Sequence, residues 1–283
     1  MTAGMGLFAV IDTLAKWLVA SYPVAQILAV RSAAALLILL PLVWRAGWRT
    51  LATDEPYKHL LRVGLVIAEV AFFYLAIRHM ALADVMLVYF AAPLFVTALA
   101  GPLLGETVGW RRWSAVLLGF LGVYLVLEPT GDGISASGLI ALAGSLAFAL
   151  VMVSTRRLRA AGGLALITYQ TVGVLVASGF AAAALPDGWA PTDTSSLALF
   201  GVVGLGSMTA YYLINRSLLL APAAIVAPFN YTSIVWALGL GYLVFGDMPT
   251  TNSLAGGVII VAAGLYNLYK ESRANRPITP VAE

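Results

Sequence analysis

Ten apolar stretches alternate with short polar breaks along this chain, near residues 4–20, 23–43, 60–78, 81–101, 112–127, 137–155, 163–185, 196–216, 222–245 and 253–269. Each has about the length a helix needs to cross roughly 30 Å of hydrocarbon. The breaks carry helix-stopping residues: Ser21-Tyr22-Pro23, Thr53 to Pro56, Pro129 to Gly133, Ala161-Gly162-Gly163, Pro186 to Pro191, Ala221-Pro222 and Pro249 to Asn252. Only the segment from Arg45 to Lys58 is much longer than a tight turn, so neighbouring spans are expected to pack antiparallel.

Composition agrees with the pattern. Hydrophobic residues make up 61% of the 283 residues and charged residues 10%, and mean hydropathy is +0.93. A soluble domain has no means of hiding that much apolar surface. The net charge of +3 is too small for a nucleic-acid footprint. Cysteine is absent, which removes disulfides, thiolate metal sites and thiol catalysis together. Asp12 and Lys16 interrupt the first apolar run and no basic segment precedes it, which argues against a cleaved signal peptide.

The chain also repeats itself. Phe73-Tyr74-Leu75-Ala76-Ile77-Arg78 returns as Tyr211-Tyr212-Leu213-Ile214-Asn215-Arg216, Leu103-Leu104-Gly105-Glu106 as Val244-Phe245-Gly246-Asp247, and Gly122-Val123-Tyr124-Leu125 as Gly264-Leu265-Tyr266-Asn267. The expected units are residues 1–128 and 129–272, followed by a tail over 273–283. Five spans per unit is an odd number, so the second unit inserts upside down relative to the first. Inverted repeats supply two near-equal arrangements, each open to one side of a membrane, and that is the device of alternating access.

Basic residues set the orientation, because short cytoplasmic loops are rich in Lys and Arg. With both termini cytoplasmic, the inside segments hold Arg45, Arg49, Lys58, Arg62, Arg111, Arg112, Arg156, Arg157, Arg159, Arg216, Lys270, Arg273 and Arg276, thirteen of the sixteen bases. The outside loops then carry Glu128, Asp132, Asp187, Asp193 and Asp247. The expected fold class is therefore an all-α integral membrane protein, with ten transmembrane helices in two inverted five-helix repeats and cytoplasmic N- and C-termini.

Lys16 ending a short first span, Arg31 early in the second, and the run Ala83-Asp84-Val85 through Pro93 to Gly105-Glu106 resemble the drug/metabolite transporter superfamily. Within it the chain is similar to the ten-helix EamA-type transporters over nearly its whole length. The resemblance implies a small-molecule solute, a multi-pass place in the bacterial inner (plasma) membrane, and no enzymatic reaction. Members move amino acids, nucleosides, vitamins and other metabolites, and one branch, the YddG-type exporters, handles aromatic amino acids.

Four ionisable groups fall inside the spans of the first unit: Asp12, Lys16, Arg31 and Glu69. Each would cost on the order of 2.5–3.5 kcal/mol at a helix centre, so each is expected to face a partner or a cavity. Asp12 and Lys16 are four apart on one helix face, in the order that favours pairing. Glu69 lies roughly 10 Å beyond Arg62 and roughly 13 Å short of Arg78, near mid-membrane. The repeat offset carries Arg31 onto Gln170 and Glu69 onto Ser207. The second unit lacks the charges but is rich in Tyr169, Tyr211, Tyr212, Asn215, Asn230, Tyr231 and Trp236. Asn230 and Ser233 fall mid-span in the ninth stretch, where Tyr89 and Pro93 fall in the fourth.

A solute site is expected from Asp12, Lys16, Arg31, Glu69, Tyr89, Gln170, Tyr211, Asn230 and Trp236, with the first unit holding a charged head and the second stacking on the remainder. A closed structural network of the same charges is the competing reading. Pro93 and Pro228 are candidate gate hinges. Trp44, Trp48, Trp110, Trp113 and Trp189 read as interfacial anchors. Without a phosphate-binding loop or paired histidines, neither ATP nor a metal is called for, and no cofactor is expected. Uniport and proton coupling through Glu69 both stay open. The expected function is export of amino acids, aromatic or hydrophobic ones first, and related metabolites. Its alternative is an uptake carrier for a vitamin, nucleoside or nucleotide-like cofactor. A monomer suffices, since one chain holds both inverted units. A membrane enzyme acting on lipids is the rival of another class, and no clustered catalytic constellation supports it.

Overall fold

The computed structural model describes residues 1–104, 109–129, 133–158, 161–220 and 227–274, and all their regular elements are helical. Gly105, Glu106, Arg159, Pro222 and the tail from 275 onward lie outside the described residues, as do the side chains of Asn215, Arg216 and Pro228. The first five spans are α1 (Thr2–Ser21), α2 (Val24–Ala46), α3 (Pro56–His79), a fourth broken into α4 (Leu82–Tyr89) and α5 (Ala92–Leu104), and α6 (Trp110–Leu127). The second five are α7 (Ala136–Arg157), α8 (Gly163–Ala184), α9 (Thr194–Leu220), an irregular ninth built around α10 (Thr232–Leu240), and α11 (Thr251–Ala274). Among the described residues nine helices are long and apolar enough to span a bilayer, and Phe229–Phe245 is a shorter tenth. The chain is a multi-pass membrane protein, and its spans fall where the apolar stretches predict them.

The turns stop where local chemistry stops them. Tyr22 is extended before Pro23, as a residue preceding proline must be, and Pro23 then serves as N-cap of α2. Pro56 opens α3, where its missing N–H costs nothing. The Ser135 hydroxyl caps α7 by accepting from the Gly138 N–H at 3.1 Å. The Asp193 carboxylate does the same for α9, accepting from the Ser196 N–H at 3.3 Å and from the Ser195 hydroxyl. Those bonds hold its pKa below the usual carboxylate range.

The fourth and ninth spans are both irregular. Pro93 lacks an N–H and disfavours helical geometry at Ala92. The chain tightens just before it, with the Ala91 N–H bonded to the Val88 carbonyl at 3.0 Å, and α5 restarts from the Ala91 carbonyl. Among the described residues the ninth span opens with a 3-10 turn, Ala227–Tyr231, that contains Pro228, and ends in a widened π turn, Gly241–Phe245.

Helix packing shows the repeat in three dimensions. Numbering the spans one to ten, the third lies on the sixth and the first on the eighth, and these two pairs exchange when the units are exchanged. The second packs on the seventh, the fifth on the tenth and the fourth on the ninth, each pair mapping onto itself. The contact of α6 with α11 is the most extensive. Gly122 and Gly256 meet there, and a Cβ added to Gly122 would lie 2.7 Å from the Gly256 carbonyl oxygen, so only glycine allows this approach.

The two ends of the bundle differ. One gathers Met1, the Gly47–Glu55 connection and the start of α8; the other gathers the α1–α2, α6–α7 and α8–α9 connections around Pro23, Glu128 and Pro191. At this second end a set of polar contacts ties the first unit to the second. Lys16 Nζ lies 2.5 Å from Asp247 Oδ2 and 4.7 Å from the centre of the Phe245 ring. Gln26, fully buried, donates to the Ala190 carbonyl at 2.9 Å and Thr192 Oγ1 at 2.7 Å, and accepts from the Ala190 N–H at 2.8 Å. The Tyr22 hydroxyl donates to Asp193 at 3.3 Å, and the Thr250 hydroxyl to Glu128.

Candidate functional site

A cavity of about 460 Å³ lies between α2, α3, α7, α8 and α9. Helical periodicity builds its walls, since residues at i, i+3, i+4 and i+7 share a face. Arg62, Val66, Glu69 and Val70 form such a stripe on α3, Phe148, Val151, Met152 and Thr155 on α7, and Gly204, Ser207, Met208 and Tyr211 on α9. From α8 come Gly163, Leu166, Ile167, Gln170, Thr171 and Val174, and from α2 come Arg31, Ser32 and Ala35. The cavity begins at Gly163, the exposed first residue of α8 at the Met1 end, and reaches inward to Arg31, Glu69 and Gly204. The opposite end is the one sealed by Lys16–Asp247 and Gln26. Its depth at Gly204 follows from a close crossing: a Cβ there would strike the Arg31 carbonyl.

Two arginines shape the polar surface. Arg31 donates from NH1 to the Tyr74 hydroxyl at 2.7 Å and lies 5.0 Å from that ring's centre. Arg62 is only 6% exposed. It donates from Nε to Thr155 Oγ1 at 2.9 Å, from NH1 to the Leu166 carbonyl at 3.3 Å, and from NH2 to Gln170 Oε1 at 3.0 Å. Neither arginine has a carboxylate within ion-pair distance among the described residues, where the ion pairs are Lys16–Asp247 and Lys58–Glu55.

The structure gathers Arg31, Glu69, Gln170 and Tyr211 on the cavity wall, together with Ser207, the repeat partner of Glu69. It puts the other expected residues elsewhere. Asp12 is outside the lining. Lys16 pairs with Asp247 instead of Asp12, because its side chain runs toward the sealed end, away from the carboxylate one turn behind it. Tyr89 packs edge-on against Phe73 and donates to the Glu69 carbonyl at 3.2 Å, behind the wall. Asn230 lies in the 3-10 turn of the ninth span, and Trp236 rests on Gly6 of α1, 45% exposed and outside the cavity lining. Arg62, counted from the sequence only among the bases of the inside segments and given no part in the site, also lies on the cavity wall. The signal was its spacing of seven from Glu69, which puts both on one face of α3 two turns apart.

Residues 1–128 and 136–269 each match the model of the EamA-like transporter family. Curated relatives include a protein named S-adenosylmethionine uptake transporter from Rickettsia bellii, 26% identical over 84% of this chain and 81% of its own length. A riboflavin transporter from Rhizobium johnstonii is 28% identical over 95% of this chain and 89% of its own. A pseudopaline exporter from Pseudomonas aeruginosa is 28% identical over 90% of both. A solved crystal structure superposes with a TM-score of 0.61 at 16% identity, covering 97% of this chain and 99% of that one, a likeness of fold.

Proposed function

The chain belongs to the EamA-like transporter family, and from that premise we propose that it is a secondary carrier for a cofactor- or vitamin-class solute, bound in the cavity between Arg31, Glu69, Gln170 and Tyr211. The observation that carries the reading is the cavity itself. At about 460 Å³ it is of small-molecule size, with a long aliphatic wall for a flat or extended body and a few convergent polar groups for orientation. The near-full-length relatives named for S-adenosylmethionine and riboflavin support such a solute over the aromatic amino acids expected from the sequence. Export of aromatic or hydrophobic amino acids becomes the alternative.

With the basic Met1 end placed in the cytoplasm of a bacterial inner membrane, the cavity opens inward and the Lys16–Asp247 end is the closed outer gate. The inverted repeat supplies the other state: the wall now open between α3, α7 and α8 would close, and its counterpart between α9, α1 and α2 would open. Residues 1–128 and 129–272 are the units that rock. Pro93 and Pro228 sit in the two irregular spans that pack on each other, where bending costs least, and are the proposed hinges.

Counterflow in proteoliposomes tests this reading. Vesicles loaded with unlabelled S-adenosylmethionine, riboflavin or phenylalanine are given the same solute in labelled form. Accelerated accumulation of S-adenosylmethionine or riboflavin is expected. Exchange of phenylalanine alone would return the assignment to amino acids.

A further inference from the structure

We propose that Arg62 is the receptor for an anionic group, carboxylate or phosphate, on the solute, an inference that rests on the cavity being the solute site. A guanidinium carries five N–H donors in a fixed planar fork. Three are committed to neutral acceptors: Thr155, the Leu166 carbonyl and Gln170. The Thr155 hydroxyl gives its own proton to the Val151 carbonyl at 2.7 Å, so toward Arg62 it acts only as an acceptor. These bonds fix the plane of the fork without cancelling its charge. The two remaining donors, one on each terminal nitrogen, are on a residue that lines the cavity.

The contrast with Arg31 decides which arginine is the receptor. Arg31 lies deeper, commits a donor to the Tyr74 hydroxyl beside that ring, and shares the inner wall with Glu69. Three neutral acceptors on α7 and α8 hold the Arg62 fork, and no carboxylate lies within ion-pair distance of it among the described residues. A buried cation offset by dipoles alone is an expensive arrangement, and it becomes favourable when an anion arrives. Paired terminal nitrogens suit the two oxygens of a carboxylate or phosphate, which lysine does not match.

The inference gives the solute a direction in the site. Glu69 lies two turns from Arg62 on the same face of α3, about 10 Å along the axis. The anionic group therefore binds nearer the Met1 end, and a cationic or hydroxyl-bearing part reaches toward Glu69.

The test reads Arg62 directly. Protein in nanodiscs is modified with phenylglyoxal, and the extent at Arg62 is followed by mass spectrometry in acetate, phosphate or chloride of equal ionic strength. Acetate or phosphate is expected to slow modification about fivefold at several times its Kd. Gln170→Glu puts a carboxylate where an amide oxygen now accepts from Arg62, and it should remove that dependence on added anion. If neither anion slows modification, or if Gln170→Glu responds as wild type does, the proposal fails.

A second arm compares probe pairs by thermal shift: S-adenosylmethionine with its decarboxylated form, and riboflavin 5′-phosphate with riboflavin. The pair in which the anionic member binds about tenfold tighter (~1.4 kcal/mol) names the anion, and Arg62→Gln, confirmed folded by size-exclusion, should erase that preference while Arg62→Lys keeps part of it. Anion protection of Arg62 with no binding by either pair upholds the receptor and overturns the cofactor reading. Carriage of either cofactor with Arg62 indifferent to anions does the reverse.

Discussion

Replacing Lys16 with methionine should open the sealed end of the bundle. The Lys16 ammonium lies 2.5 Å from Asp247, and the two side chains are 15% and 32% exposed. At that distance the bare attraction is about 7 kcal/mol for an effective dielectric near 20. Desolvation and the loss of side-chain freedom cancel most of it, leaving roughly 1–2 kcal/mol net. A change of about 1.4 kcal/mol moves an open–closed equilibrium tenfold. The native chain has no cysteine, so a single reporter can be placed without background. Ile27, fully buried one turn from Arg31 toward the sealed end, is the position to mutate to cysteine. Maleimide labelling of this cysteine in nanodiscs should run about tenfold faster in the Lys16→Met background, because labelling follows the population of the open state. Asp247→Asn should act alike, and the double variant should exceed neither single by much, since both remove one interaction. Labelling within twofold of the parent, or two fully additive effects, would refute the latch.

Other consequences follow from the same coordinates. Gln26→Leu removes three hydrogen bonds and strands the Ala190 N–H, which should lower stability by roughly 2–3 kcal/mol, seen as a reduced Tm in detergent. Gly122→Val drives a side chain into the Gly256 backbone and should cost several kcal/mol or abolish folded yield by size-exclusion profile, whereas Gly64→Ala, with nothing within 4 Å of the added Cβ, should be neutral or slightly stabilising. If Glu69 carries the coupling proton, Glu69→Gln should leave counterflow intact but remove its response to an imposed pH gradient; a response of full size in that variant excludes the role.

The spans were legible because length and apolarity are nearly sufficient signals in a membrane protein. The duplication paired Gln170 with Arg31 and Ser207 with Glu69, and all four line the cavity, since a repeat copies position even where it does not copy chemistry. The rotation of each helix was much harder to read. Lipid and protein core are both apolar, so Trp236 resting on the first helix and Tyr89 behind the cavity wall carry the same pattern as residues that line it. Partners distant in sequence were also invisible. Asp12 is the local mate for Lys16, but the true one is 231 residues away, across the junction of the two units. Arg62 was used for orientation alone: a base near the end of a span satisfies the charge rule whichever way its side chain faces, and its register with Glu69 is what points it to the cavity.

The most direct measurement is counterflow of labelled S-adenosylmethionine and riboflavin by the wild-type chain beside Ser207→Trp, a substitution that fills the cavity from a wall position buried on α9. The account predicts exchange of at least one of these solutes by the wild type and its loss in Ser207→Trp, with folding retained by size-exclusion profile. Exchange that continues undiminished with the cavity filled would place the solute path elsewhere and contradict it.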